Sequence, residues 1–161
     1  MGPVTSHGYR SYNRLTLSGY DLVVLGGFNR IVWRCPTRHL EEHYQKYVAA
    51  SHIDVGVGTG YYLDRIRFPS PRPRIGLLDM NEHCLWATQR RIARYAPEVY
   101  RADVFEPFEL PGPRFDSAGA NYLLHCVPGT IRHKISVLRA LCAPAAGGGL
   151  FALGAALHRQ R

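Results

Sequence analysis

Lysine is almost missing from this chain of 161 residues: two lysines stand beside 18 arginines, and with only 12 acidic residues the formal charge is +8. A balance of that sign raises phosphate-bearing partners as a possibility. No run of five or six like charges occurs, however. The densest groups are Arg65, Arg67, Arg72 and Arg74, then Arg90, Arg91 and Arg94. Dispersed charge of this kind argues against nucleic acid as the partner. Long apolar runs are also missing. No stretch approaches the 18 or so residues of a membrane span, and the first residues lack the apolar segment of a secretion signal, so a cytoplasmic protein with no membrane attachment is expected. Cys35, Cys84, Cys126 and Cys142 stand apart with no C-x-x-C pair and no compact Cys/His spacing, which gives no support for a structural metal or a disulfide framework.

What is present is an ordinary globular composition, 46% hydrophobic and 20% charged, in a length that suits one domain. Residues 1–19 are rich in Gly, Ser, Tyr and Arg without a period and read as an arm. Leu22, Val23, Leu25, Phe28, Ile31, Val32 and Trp33 suit a short helix within 21–33, and Pro36 forces a break. Thr37 can then cap a helix running to about Ala50, with Leu40, Tyr44, Tyr47 and Val48 on one face. Residues 1–50 are therefore expected to form an arm and lid helices, and residues 51–161 the core.

After Ser51 short apolar runs alternate with helical segments, the pattern of repeated β-α units and a parallel sheet. The expected strands are His52–Val55, Ile75–Leu78, Val99–Arg101, Phe115–Tyr122 and Leu150–Leu157. Helices are expected from the glycine loop to about Arg67, from Glu82 to Tyr95 with Asn81 as cap, and from Thr130 to Leu141. The Ala/Gly-rich stretch 143–149 reads as a turn by composition.

Four segments carry chemistry. Asp54-Val-Gly56-Val-Gly58-Thr-Gly60 directly follows the first strand, and its glycines let the backbone turn tightly and a ligand lie against main-chain N–H groups. A tight turn without a ligand is the plainer alternative. A dinucleotide fingerprint would need glycine at 61, where Tyr61 stands, which disfavours a nicotinamide-dependent oxidoreductase. Asp54 beside the loop would repel phosphate and could hold an ammonium group. Asp79, 19 residues after Gly60, ends the second strand where a carboxylate can accept both hydroxyls of a ribose; it could equally be a turn aspartate before a helix. Asp103, with Val104 beside it, follows the third strand. There a carboxylate can accept from an adenine amine while an apolar side chain covers the ring, although taken alone it would be a loop residue. The fourth strand runs into Asn121, Tyr122 and His125, at the carboxyl end of the sheet where ligands lie. His125 is a candidate general base or orienter, or else a histidine that satisfies loop backbone.

In order and spacing, His52 to Gly129 resembles the class I S-adenosylmethionine-dependent methyltransferases. The resemblance implies a Rossmann-like α/β fold, doubly wound on a mostly parallel sheet, with S-adenosyl-L-methionine as cofactor. It assigns Asp54, Gly56, Gly58 and Gly60 to the methionine end, Asp79 to the ribose, and Met80, Asp103 and Val104 to the adenine. Asn121 would serve the cofactor and, with Tyr122 and His125, the reacting side. The implied activity is methyl transfer to a small-molecule acceptor, since no asparagine-proline-proline-aromatic run follows strand four. A non-catalytic cofactor-binding or interaction module is the alternative, and an RNA methyltransferase is a variant of the main reading. Members of the family continue past strand five with a helix and an antiparallel pair, so about five strands are expected here with that pair missing. An open strand five would then favour a homodimer.

Overall fold

The computed structural model describes residues 37–104, 106, 110–121, 123 and 130, and the backbone of residues 145–152. The expected arm and first helix, most of the Thr130–Leu141 helix, and Tyr122 and His125 lie outside the described residues. In chain order the elements are α1 (Thr37–Tyr47), β1 (Ser51–Val55), α2 (Tyr61–Arg65), β2 (Arg74–Asp79), α3 (Glu82–Arg91), a 3-10 turn (Ala93–Tyr95), β3 (Glu98–Arg101), β4 (Phe115–Gly119) and β5 (Ala145–Ala152).

The five strands form one sheet in the order β3-β2-β1-β4-β5, and every pairing is parallel. The chain therefore winds outward from β1 to β3, crosses back, and winds outward again through β4 and β5. This is the doubly wound order, and its reversal point falls between β1 and β4. Parallel neighbours need crossovers, which is why α2, and then α3 with its 3-10 turn, sit between successive strands of the first half.

Alternation along β1 divides the core into two layers. His52 and Asp54 face the side covered by α1, α2 and α3, where Leu40, Tyr44, Leu63, Ile75, Leu77, Leu85 and Ile92 pack together. Ile53 and Val55 face the opposite layer with Leu78, Phe115, Ala118 and Ala120. Leu40 and Tyr44, four residues apart on the expected inner face of α1, are both buried.

Several boundaries differ from expectation. α1 ends at Tyr47 rather than near Ala50, and α2 stops at Arg65. The expected Glu82–Tyr95 helix is an α-helix to Arg91 followed by a tighter 3-10 turn, which ends where Ala96 adopts a left-handed φ of 47°. β4 ends at Gly119, three residues short of the expected Tyr122. β5 lies at Ala145–Ala152 instead of Leu150–Leu157. The glycines and alanines at 145–149, read as part of a turn, thus occupy more than half of an 8-residue strand: backbone pairing with β4, with an irregular register between Phe115 and Ser117, overrides their weak strand preference. Among the described residues no helix is long and apolar enough to cross a membrane.

Candidate functional site

The glycine loop leaves β1 at the reversal point and is fixed by main-chain bonds. Gly56 N–H donates to the Leu78 carbonyl and Gly60 N–H to the Val57 carbonyl, both at 2.9 Å. Gly60 adopts φ +71°, and a side chain there would also collide with Thr88, whose Cγ2 lies 2.6 Å from the position of a Cβ. Both constraints require glycine. At Gly58 a Cβ would meet nothing within 4 Å, and there the φ of +54° alone favours glycine. Since α2 has only five residues, little macrodipole accumulates behind the loop. The N–H groups of Val57 and Gly58 face the Asp79 carboxyl.

Asp79 closes β2 on the same face as Asp54. Burial pushes its carboxyl above the ordinary range, and the negative charge of Asp54 adds to the rise. N–H groups of Asn81, Gly58 and Val57 oppose it, the first in a 2.9 Å hydrogen bond to Oδ1. The expected turn-aspartate role is thus present, in a side chain that also faces the glycine loop. Asn81 in turn caps α3, its side-chain oxygen accepting from His83 N–H.

Asp54 is buried in the face toward α1, and the Tyr44 hydroxyl donates to its Oδ1. Burial first and then the Asp54 charge push the Tyr44 phenol well above its usual value, so it stays neutral and donates. His52 completes the cluster. Its Nδ1 lies 2.8 Å from Ser117 Oγ, which also accepts from Ala49 N–H at 2.9 Å. Its Nε2 is buried with no hydrogen-bond partner among the described residues, 3.9 Å from Asp54 Oδ1. Gly119 of β4 closes the cluster from the other side: a Cβ there would come within 2.6 Å of both Asp54 Oδ1 and Tyr44 Oη.

The remaining sites lie at the same end of the sheet. Ala102 N–H bonds the Asp79 carbonyl at 3.3 Å, and Asp103 lies two residues beyond the end of the β2–β3 pairing at Arg101. Met80 is 38% exposed, as are Trp86 and Val99 to a similar extent. Val104 packs on the opposite layer with Leu123. Asn121 follows β4, and both polar atoms of its side chain are buried without hydrogen-bond partners among the described residues, which buried amides rarely tolerate unless a ligand or water completes them. Asp54, the glycine loop and Asp79 thus meet at the β1–β2 end of the site. Tyr44, His52, Ser117 and Gly119 belong to it as well. Sequence reading missed their role, although His52 and Ser117 were visible as polar residues inside apolar strands.

The chain is 39% identical over 143 residues to demethylluteothin O-methyltransferase of Streptomyces thioluteus, covering 89% of this chain and 62% of that protein. It is 37% identical over 135 residues to the physcion biosynthesis cluster O-methyltransferase of Aspergillus chevalieri, covering 83% and 60% respectively. Among solved structures, the N-methyltransferase NodS of Bradyrhizobium japonicum, in complex with S-adenosyl-L-homocysteine, superposes with a TM-score of 0.57 at 12% identity, over 71% of this chain and 57% of that one. The chain is similar in sequence to these O-methyltransferases. It spans about 60% of the length of these curated relatives. No family model matches it. At 12% identity the structural likeness shows the methyltransferase fold alone, and at that level it agrees with the strand order.

Proposed function

We propose that this chain binds S-adenosyl-L-methionine as part of an enzyme that transfers a methyl group to a small-molecule acceptor. The observation that carries the reading is the pair of acids, Asp54 and Asp79, on one face of the sheet around a glycine loop at the reversal point. An acid at Asp54 suits the ammonium of an amino-acid moiety and would repel a pyrophosphate. The Asp79 carboxylate suits ribose hydroxyls. Asp103 would accept from the adenine amine, with Met80 and Val104 against the ring, while Gly56, Gly58 and Gly60 give the backbone its close approach. The orphaned amide of Asn121 fits a group that gains partners only when the site is filled.

When bound, the cofactor supplies a sulfonium-activated methyl group. In-line transfer then depends on alignment and exclusion of water more than on strong acid-base chemistry. Asn121, Tyr122 and His125 are assigned to the acceptor side. The names of demethylluteothin O-methyltransferase and the physcion biosynthesis cluster O-methyltransferase support the class of reaction, and dispersed charge supports a small acceptor over a nucleic acid. Four of the described arginines are held in ion pairs: Arg65 with Glu41, Arg74 with Glu98, Arg94 with Asp64 and Arg101 with Glu82.

Calorimetric titration with S-adenosylmethionine, S-adenosylhomocysteine and NAD tests the reading. Binding of the first two but not NAD is expected, and Asp79→Ala should weaken that binding at least tenfold, as loss of a charge-assisted pair would. Unchanged affinity in that variant would remove the ribose assignment. Cytoplasmic residence and pairing of two chains along the outer side of β5 complete the proposal. Light scattering should give twice the chain mass, and a monomer at high concentration would refute the pairing.

A further inference from the structure

The glycine loop is gripped from behind by α3. Thr88 is fully buried, its methyl seated where a Gly60 side chain would have to go, and its hydroxyl donates to the Gly58 carbonyl at 3.2 Å. One turn later Arg91 Nη1 donates to the Thr59 carbonyl at 2.9 Å. Two consecutive loop carbonyls are therefore turned toward the helix. Because a trans peptide is planar, with its C=O and N–H pointing opposite ways, fixing those carbonyls also fixes the directions of the Thr59 and Gly60 N–H groups. Gly60 N–H is in fact aimed into the turn, at Val57. The same helix starts at Asn81, whose N–H holds Asp79 Oδ1. One rigid element thus references both the loop and the Asp79 carboxyl.

We propose that Thr88 and Arg91 are positioning residues that hold the glycine loop in its binding shape through the carbonyls of Gly58 and Thr59. The inference rests on the reading that this loop receives the S-adenosyl compound. Neither side chain need touch the ligand. Their effect is pre-organisation: a loop already held in shape loses less freedom on binding.

The test compares Thr88→Val, Thr88→Ser and Arg91→Met with the unaltered full chain. Each is titrated with S-adenosylhomocysteine, followed through thermal unfolding, and measured by NMR for amide exchange at Thr59 and Gly60. Valine keeps the branched shape and loses the hydroxyl; serine keeps the hydroxyl and loses the methyl. Thr88→Val and Arg91→Met should each weaken binding by about fivefold to tenfold and speed exchange at Thr59 and Gly60, whereas Thr88→Ser should stay within about twofold, the scale of one net hydrogen bond. Equal affinity in Thr88→Val and the parent chain, or equal damage from serine and valine, would overturn the proposal. Arg91 lies on the surface, so its variant decides the matter if Thr88→Val fails to fold. If the parent chain does not bind, the cofactor reading fails by itself, and faster exchange at Thr59 and Gly60 still decides whether the grip exists.

Discussion

Burial gives the Asp79 carboxyl a pH dependence of predictable sign. Its folded-state value is raised, so between the ordinary aspartate range and that raised value the folded chain holds more protons than the unfolded one. Stability therefore falls as pH rises through this window. Ligand binding runs the other way, since ribose hydroxyls donate to the ionised form. Affinity for S-adenosylhomocysteine should fall as pH drops through the raised value, while urea midpoints rise over the same interval. Asp79→Asn should flatten both profiles, and a stability profile left unchanged by that variant would assign the dependence to another group. Cys84 has no such role. Burial, with the Asp79 charge behind it, pushes its thiol up to about 12, which leaves it unreactive in the folded chain.

Among the elements, α1 and β1 are coupled through the Tyr44 side chain. Tyr44 stacks on Tyr62 at 5.6 Å and an interplanar angle of 7°, contacts the His52 ring edge-on, and donates to Asp54. Tyr44→Phe keeps both ring contacts and leaves the buried carboxylate without this donor. A loss of about 1.5–3 kcal/mol is expected, the range for hydrogen bonds to charged groups, read from urea denaturation. Affinity for the cofactor should weaken as well, because Asp54 loses the contact that orients it. Both effects absent would show that the hydroxyl contributes no orientation. The elements themselves were legible wherever apolar alternation and a cap coincided, as at β1, β2 and Asn81 before α3. Strand β5 was misplaced because composition records propensity and not pairing: alanine and glycine become a strand when a parallel neighbour supplies the hydrogen bonds. The acids Asp54 and Asp79 could be found from spacing, since a residue at a strand end has a defined place. Tyr44, Ser117 and Gly119 could not, because their meeting depends on which strand lies next to β1, and sequence order does not state it.

Across the whole molecule, the two ends of the sheet carry different burdens. At the amino ends of the strands Arg74 holds Glu98 at 2.8 and 3.0 Å, donates to the Pro113 carbonyl at 2.6 Å, and covers the Phe115 ring with its guanidinium at 4.1 Å. The pairing raises the Arg74 value and holds the Glu98 carboxyl low. This one side chain joins β2, β3 and the approach to β4, with no part in the loop at the opposite end. Arg74→Met should lower the urea midpoint while leaving the affinity for S-adenosylhomocysteine within about twofold. A larger change in affinity would show that the two ends are not independent.

The alternation within β1 has a further consequence, for how the sheet assembles. β1 pairs with β2 on one side and β4 on the other, and a slip of one residue against its neighbours would exchange its two faces. His52 and Asp54 would then enter the apolar layer of Leu78 and Phe115, far from Tyr44 and Ser117, at a cost of several kcal/mol for a charge stranded there. The acid assigned to ligand binding thus serves also as an alignment mark: a central strand slipped by one residue would be penalised by its own carboxylate.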